Sequence, residues 1–190
     1  QCRKKTKFKG DVSTRLIITK SDEARISVND RVLGDFNQDI YNCVGDFILK
    51  RRDGLFSYQL ASVVDDELQK ITHIVRGNDL LPATPRQKYL QTCLRYRSVQ
   101  YAHLPLMVNN HNQKLSKQGN APAVRNENAN KTIWYALKIL NQKPPSYLFG
   151  APLNQILSWA VKKWDMSLAP RQNQCLLKAR TLEMFSEGAL

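Results

Sequence analysis

The sequence predicts an α/β fold built on a parallel sheet, and three observations lead to this class. From residue 55 to residue 113 the chain alternates helix, strand, helix and strand, an order that implies right-handed crossovers between parallel strands. Short β segments precede this region, and apolar residues recur at spacings of three and four after it. The 190 residues suffice to bury a core, and 42% hydrophobic with 24% charged residues is a globular composition.

The chain is predicted to contain three regions. Residues 1–53 are expected to be β-rich, because three segments alternate or run apolar between polar turns: STRLIIT, ARISVND and GDFILKRR. Residues 54–120 hold the alternation of helices and strands. Residues 121–190 are expected to be helical, with apolar residues at helical spacing in three segments: NKTIWYALKILNQ, LNQILSWAVKKW and PRQNQCLLKARTLEMF.

The middle region is predicted to supply the ligand-binding edge of the sheet. LFSYQLASVVDDELQK fits a mostly buried helix, and ITHIVRG fits a short buried strand that ends at Gly77. ATPRQKYLQTCLRYR fits a helix in which Thr84 is the cap and Pro85 the first helical residue. YAHLPLMVNN is expected to form a further strand, and such sheets bind ligands at the carboxyl ends of their strands.

Charge makes nucleic acid the leading class of partner. The chain has 29 Lys and Arg residues against 16 Asp and Glu, a net charge of +13 that attracts polyanions. No run approaches the roughly 18 apolar residues of a membrane span, and no apolar signal-peptide core is present, so a cytoplasmic protein is expected. The cysteines form no Cys-x-x-Cys pair, which leaves neither a redox motif nor a complete zinc site; Cys43, Cys93 and Cys175 are expected to be reduced and mostly buried.

The segment KLSKQ, Lys114 to Gln118, is the strongest candidate site. It follows the apolar run from Leu104 to Val108, so two ammonium groups would stand at the end of a parallel strand, where they could neutralise a phosphoryl group in transfer. A mobile polar loop would let the lysines close over a triphosphate and release the product. On these five residues alone, a solvated basic loop is the alternative.

Other charged residues are interpreted as structural. Asp65 and Asp66 would project about 100° apart on a helix, so they are assigned to a polar network and not to a hydrolytic acid/base pair. His103 is expected to be a packed strand residue bonded to backbone. A solvated face is expected for the basic helical residues, with tRNA contacts as the alternative: Arg86, Lys88, Arg95 and Arg97.

Four blocks in one order add a family resemblance: FSYQLASVVDD, ITHIVRGNDLLPATPRQ, HLPL and KLSKQ. Together they resemble the glutamyl branch of the class I aminoacyl-tRNA synthetases. The resemblance is closest to the glutamyl-queuosine tRNA(Asp) synthetases, whose loop K-L-S-K-Q-x-x-A-P-A is matched by residues 114–118 and 121–123. Bacterial glutamyl-tRNA synthetases usually carry arginine where this chain has Gln118, and the short tail beyond the loop also favours the paralogue.

The resemblance implies roles for individual residues. Tyr58 and Arg76 match residues that hold the glutamate substrate, and Arg suits a carboxylate because its donors form a planar fork. Without the resemblance, Tyr58 would be assigned to the core and Arg76 to the surface or a salt bridge. Lys117 matches the ATP-binding lysine of the signature loop, with Lys114 as its companion in catalysis. The same ATP-binding loop includes Leu115, Ser116 and Gln118.

The resemblance also implies an activity. The family activates glutamate with ATP and Mg²⁺ to glutamyl-adenylate, releasing pyrophosphate, and then transfers glutamate to the queuosine base of tRNA(Asp), without needing tRNA for activation. The implied fold is the second half of the Rossmann-like sheet of a class I synthetase, with the β-rich region as a remnant of an inserted acceptor-binding region. A fragment of a true glutamyl-tRNA synthetase and a non-catalytic basic RNA-binding module are the alternatives.

Two departures from the family pattern limit what this chain is expected to do alone. The family's H-x-G-H-like motif is absent, so the 190 residues are expected to be an inactive C-terminal part that exposes a sheet edge and is marginally stable or self-associates. Cys2 resembles the last zinc ligand of the paralogue group. One cysteine cannot hold a tetrahedral metal, so no zinc is expected in this chain.

Overall fold

The computed structural model describes residues 11–111, 114–115 and 126–176. Within these ranges the strands are β1 (Thr14–Leu16), β2 (Arg25–Asp30), β3 (Gly34–Asp39), β4 (Phe47–Lys50), β5 (His73–Gly77), β6 (Gln100–Leu104), β7 (Leu106–Val108) and β8 (Gln174–Leu176). The α-helices are α1 (Ile40–Cys43), α2 (Tyr58–Leu68), α3 (Thr84–Cys93), α4 (Ala129–Ile139) and α5 (Leu153–Lys163).

The chain divides into two compact units. The first contains the described residues up to Asp30 together with Asp35–Val75 and Leu80–Ala102. The second contains Arg31–Gly34, Arg76–Asp79 and the described residues from His103 onward. The division falls inside β5 and β6, so the last residues of both strands belong to the second unit.

The principal sheet has four strands in the order β3-β2-β6-β5. Strands β2 and β6 pair in parallel, with Asp30 opposite Tyr101. A crossover that contains α3 joins β5 to β6, which are neighbours in the sheet. This is the arrangement that the alternation of helices and strands predicted, and the mixed α/β class is confirmed. A separate antiparallel pair is formed by β1 and β4.

The first unit is held together by two apolar clusters. One is centred on Ile18 and Ile40, which are fully buried, and it includes Val63 of α2 and Leu90 of α3. The other joins Val28 of β2 to Tyr101 of β6 and to Val99, the residue before β6. The Tyr101 hydroxyl accepts a hydrogen bond from Gln91 Nε2 at 3.2 Å, so this buried polar atom is satisfied.

The second unit is built around α4 and α5. Trp134, Leu137, Leu148 and Ile156 form its apolar cluster, and Ile156 is fully buried. The indole Nε1 of Trp134 donates to the Pro145 carbonyl at 3.0 Å. Strand β7 pairs in parallel with β8, from Leu106 opposite Gln174 to Val108 opposite Leu176.

Several predicted elements are confirmed with shifted bounds. The predicted β segments correspond to β1, β2 and β4, the middle helices to α2 and α3, and the first two C-terminal helices to α4 and α5. Strand β3 and the short helix α1 were not predicted. No helix in the described part of the chain is both long and apolar enough to cross a membrane.

Two element predictions are wrong. YAHLPLMVNN was expected to be one strand, but Pro105 separates β6 from β7, and β7 joins a different sheet. Proline lacks the N–H that a continuous ladder requires, which explains the break. The third C-terminal segment was expected to be helical, yet residues 174–176 form β8. The rest of that segment, from residue 177, lies outside the described residues.

Burial and capping also differ from expectation. Helix α2 is only half-buried, since Val63 is its one fully buried residue and Leu68 is 74% exposed. In strand β5, predicted to be buried, Val75 is 58% exposed. Thr84 does not cap α3, because a 3-10 helix from Asn78 to Ala83 leads directly into it and Thr84 Oγ1 bonds back to the Leu80 carbonyl at 3.3 Å.

The cysteine prediction is correct for pairing and partly wrong for burial. Cys43, Cys93 and Cys175 are all free thiols. Cys175 is buried in β8, as expected, whereas Cys43 and Cys93 are exposed. Both lie at the last residue of a helix, α1 and α3, where the surface side of the final turn faces solvent.

Candidate functional site

The segment from Arg76 to Asp79 is the centre of the candidate site, and all of it belongs to the second unit. Its side chains form hydrogen bonds with three different parts of that unit. The partner of Arg76 is in β6, that of Asn78 is the residue before β8, and that of Asp79 is Lys114, the first residue of the KLSKQ segment. Strand β5 ends at Gly77. The polar cluster therefore lies at the carboxyl end of a strand, where α/β sheets bind their ligands.

Arg76 and His103 are bonded side chain to side chain. Arg76 Nε donates to His103 Nε2 at 3.1 Å. Each residue is the last but one of its strand, β5 for Arg76 and β6 for His103. This relation is expected when neighbouring strands run in the same direction. His103 is completely buried, as predicted for a packed strand residue, and the Arg76 side chain is one of its hydrogen-bond partners.

Asp79 and Lys114 form a close ion pair. The ammonium of Lys114 donates to Asp79 Oδ2. This hydrogen bond holds the pKa of the Asp79 carboxyl below its usual range; burial opposes the effect, and the charges of Lys114 and Arg76 reinforce it. Asp79 is consequently ionised at neutral pH, and it keeps one lysine of the candidate phosphate loop at the end of β5.

Glycine at position 77 allows Asp79 to lie close to the strand. A Cβ atom at Gly77 would stand 2.7 Å from Asp79 Oδ1 and 3.4 Å from Leu106 Cδ2. The first distance is shorter than a van der Waals contact permits, so any larger residue would displace the carboxylate. Gly77 thus helps to position the partner of Lys114.

The described start of the KLSKQ loop is attached to β7. Lys114 makes an isolated antiparallel bridge with Val108, and the backbone N–H of Leu115 donates to the Met107 carbonyl at 3.1 Å. Lys114 therefore leaves the edge of β7 with its backbone held and its side chain on Asp79. Ser116, Lys117 and Gln118 were also predicted to bind ATP, and they lie outside the described residues, as does Cys2.

Tyr58 belongs to the first unit and begins α2, directly after the cap Ser57. Its side chain is 52% exposed, so it is not a core residue. Exposure is compatible with a substrate contact, and the assignment of Tyr58 to glutamate stays a prediction. Its backbone carbonyl accepts a hydrogen bond from Ser62 Oγ at 2.8 Å, inside the helix.

Of the four basic residues predicted on helix α3, Arg95 and Arg97 lie beyond its last residue, Cys93. Two of the four are engaged within the first unit. Lys88 Nζ donates to the Ser27 carbonyl at 2.7 Å, and burial lowers the pKa of this lysine. Arg97 Nε lies 3.5 Å from Glu67 Oε1 in an ion pair. These contacts favour structural roles over tRNA contacts for both residues. Among the described residues, no group of three or more His, Cys, Asp or Glu side chains could hold a metal ion.

A match to the sequence pattern of a known protein family decides the family of the chain. Residues 1–141 match the catalytic domain of the class I tRNA synthetases for E and Q, glutamate and glutamine. The chain belongs to this family. The predicted resemblance to the glutamyl branch of the class I synthetases is therefore confirmed.

Similar curated proteins carry one name. The chain is 47% identical over 160 residues to the glutamyl-Q tRNA(Asp) synthetase of Thiobacillus denitrificans, covering 84% of this chain and 53% of that protein. It is 42% identical over 170 residues to the protein of the same name from Pseudomonas fluorescens, covering 90% of this chain and 56% of that one. The chain thus spans about half the length of the curated relatives it matches.

Solved class I synthetases share the fold. The glutamate-tRNA synthetase of Elizabethkingia anophelis superposes with a TM-score of 0.63 at 21% identity, covering 85% of this chain and 36% of that one. The glutamate tRNA ligase of Elizabethkingia meningosepticum, solved with its amino acid, gives a TM-score of 0.64 at 21% identity and covers 86% and 36% of the two chains. This likeness assigns the α/β architecture of the chain to the synthetase fold.

Sequence reasoning missed Asp79 and Asn78 as members of the site. Asn78 Nδ2 donates to Asn173 Oδ1 at 3.0 Å, which connects the end of β5 to the residue before β8. A usable signal was present, because Asn-Asp follows Arg-Gly directly at the end of a predicted strand. Of the predicted site residues, Arg76 and Lys114 are both close enough to Asp79 that their charges lower the pKa of its carboxyl.

Proposed function

We propose that this chain is part of an enzyme that activates glutamate with ATP and transfers it to the queuosine base of tRNA(Asp). Membership of the synthetase family and the name of the similar curated proteins support the proposal. The observation that carries it is the polar cluster at the end of β5, where Arg76, fixed by His103, stands beside the Asp79–Lys114 pair. A cation for an amino-acid carboxylate, Arg76, and one for a phosphate, Lys114, are thus brought to the same segment, Arg76 to Asp79.

In the proposed first step, a carboxylate oxygen of glutamate attacks the α-phosphorus of ATP. A bond forms between that oxygen and phosphorus, the bond to the bridging oxygen breaks, and pyrophosphate leaves with its electron pair. The attacking carboxylate is already ionised near pH 7, so catalysis requires positioning and charge neutralisation without a general base. Mg²⁺ enters with ATP as part of the substrate, and no step depends on zinc.

The residues divide this work by their chemistry. The planar guanidinium of Arg76 suits a carboxylate, and Tyr58 would add a directional hydroxyl contact. Lys117 and Lys114 would neutralise the triphosphate as negative charge develops on the leaving group. Lys114 can take this role only when it exchanges Asp79 for phosphate, so we assign the larger contribution to Lys117.

The test uses the full-length protein that contains these residues. Glutamate-dependent exchange of pyrophosphate into ATP is expected without tRNA, followed by transfer of labelled glutamate to tRNA(Asp) that carries queuosine. The same tRNA lacking queuosine should accept none. Lys117→Ala should reduce exchange by at least tenfold, whereas Lys162→Ala, an exposed lysine on α5, should leave it unchanged.

Other outcomes would select the alternatives. Transfer to tRNA(Glu) in place of tRNA(Asp) would identify a true glutamyl-tRNA synthetase. Binding of tRNA without any glutamate-dependent exchange would identify a basic RNA-binding module, consistent with the net charge of +13. The separate 190-residue chain, recognised by its mass of 21.8 kDa, is expected to show no exchange.

A further inference from the structure

His103 is a buried polar residue for which the proposed chemistry gives no direct task. Its imidazole has no solvent exposure, and Nε2 lies 3.1 Å from Nε of Arg76. A buried imidazole in a strand could be replaced by an apolar residue of similar size if packing were its purpose. The contact with Arg76 therefore indicates a more specific role.

The protonation state of His103 follows from its partner. Arginine has five N–H donors and no acceptor, and it stays charged in proteins. Nε2 of His103 must therefore accept, which requires a neutral imidazole with its proton on Nδ1. In this state the imidazole is a single, directional acceptor placed opposite the Nε–H of Arg76.

One bond at Nε is enough to orient the whole guanidinium. The group is planar, and delocalisation prevents rotation about the bond from Nε to the central carbon. An acceptor fixed opposite Nε–H therefore sets the plane of the group and the direction in which its two terminal nitrogens point. Those terminal nitrogens are the pair that can grip a carboxylate with two parallel hydrogen bonds.

We propose that His103 is a positioning residue that presets the guanidinium of Arg76 for the carboxylate of the amino-acid substrate. The proposal rests on the proposed function, because it takes Arg76 as the residue that meets glutamate. The effect should appear in the binding of glutamate and not in that of ATP, because Arg76, which His103 contacts, is the residue assigned to glutamate. A guanidinium that is already oriented loses less conformational entropy when glutamate binds, so the binding free energy is more favourable.

The kinetic test compares three substitutions of His103 in the full-length protein. His103→Gln can place an amide oxygen near the position of Nε2, His103→Asn places its oxygen nearer to Nδ1, and His103→Leu offers no acceptor. We expect the KM for glutamate to rise about tenfold in the Leu and Asn variants. The Gln variant should stay within about threefold of wild type, and the KM for ATP should be unchanged in all three.

The control is His73→Leu, the same change at an exposed histidine of β5. Its KM for glutamate should match wild type. If His103→Leu does not fold, the Gln and Asn variants carry the test, because both keep an amide and differ in where it lies. Equal KM values for glutamate in Gln and Asn variants, or a parallel rise for ATP, would overturn the proposal.

A second readout does not depend on catalysis. In the same full-length protein, ¹⁵N-histidine labelling with His103→Gln as the assignment control isolates the signal of His103. We expect the neutral form with the proton on Nδ1, and loss of its coupling to the guanidinium in Arg76→Lys. A proton on Nε2 would overturn the proposal. Absence of glutamate-dependent exchange in the wild type would instead refute the proposed function and leave this spectroscopic result intact.

Discussion

Lys114 donates to Asp79 across the second unit, from the edge of β7 to the segment that follows β5. The two side chains are 46% and 38% exposed, so water screens the pair and its contribution to stability is modest. Its importance is positional, because it fixes a lysine of the signature loop before any ligand arrives.

The pair should give the folding stability a defined pH dependence. The pKa of Asp79 is lowered in the folded state, so its stabilisation is complete above the unfolded pKa, about 3.9, and is lost as pH falls through the lower folded value. Asp79→Asn should cost about 0.2–1 kcal/mol at pH 6. The difference from wild type should shrink below about pH 4.

Urea unfolding at pH 6 and at successively lower pH measures this effect. Lys114→Met should reproduce the loss, because it removes the same hydrogen bond, and Lys162→Met, on the exposed face of α5, should not. A loss in Asp79→Asn that stays constant across this pH range would contradict the assignment of the stabilisation to the ionised carboxylate.

Substitution of Gly77 should act through Asp79. The new Cβ of Gly77→Ala would stand 2.7 Å from Asp79 Oδ1, and the half-exposed carboxylate can move away at small cost. We therefore expect a loss of about 1 kcal/mol or less, together with loss of the pH-dependent term. In a double-mutant cycle, Gly77→Ala and Asp79→Asn should be less than additive; additivity within about 0.3 kcal/mol would show that they act independently.

The core of the second unit should be sensitive to truncation at Ile156. This side chain is fully buried among Trp134, Leu137 and Leu148, so Ile156→Ala should cost about 2–5 kcal/mol by loss of burial and creation of a cavity. Val161, also on α5, is 82% exposed, and Val161→Ala should stay within about 0.5 kcal/mol. Thermal and urea unfolding measure both, and similar losses would contradict the packing.

Gln142 should stabilise the second unit through buried hydrogen bonds, as Ile156 does through apolar packing. Its buried amide donates to the carbonyls of Leu140 and Asp165 at 2.9 and 3.0 Å and accepts from Asp165 N at 2.9 Å. Gln142→Ala leaves these groups without that partner and should cost about 2–3 kcal/mol. Gln155→Ala, the same change at an exposed position on α5, is the control and should be near neutral; an equally small loss for Gln142→Ala would contradict the contribution assigned to this network.

Sequence periodicity was sufficient to predict an element where one face of that element is apolar and the other is polar. Helices α4 and α5 were predicted for this reason: Trp134 and Leu137 are buried in α4, and in α5 Ile156 is buried with Trp159 and Ala160 packed against the same cluster. It failed for β8, because Gln174–Leu176 stands in a segment with apolar residues at spacings that also suit a helix. The pairing of β8 with β7 decides its conformation, and pairing between distant segments is not encoded in local spacing.

The same limit applies to the site. Arg76 and Lys114 could be identified because they belong to sequence blocks that can be recognised without any knowledge of contacts. The pairing of Asp79 with Lys114 and the contact of His103 with Arg76 could not be identified, because the partners are 35 and 27 residues apart in sequence. Residue type indicated charge at the end of a strand, and only the folded chain shows which charges meet.

The pairing of β7 with β8 has a consequence for how the second unit folds. The family match ends at residue 141, yet β8 lies beyond it and supplies the strand against which Leu106–Val108 aligns. The pairing of β7 with β8 therefore closes a loop that contains the whole α4–α5 region. Because its partners are far apart in sequence, we expect this pairing to form late in folding. A chain shortened to its matched residues would leave β7 without its partner strand, as an unprotected edge. Lys114, whose backbone bridges to Val108, would then be attached to a strand that nothing pairs with on that side.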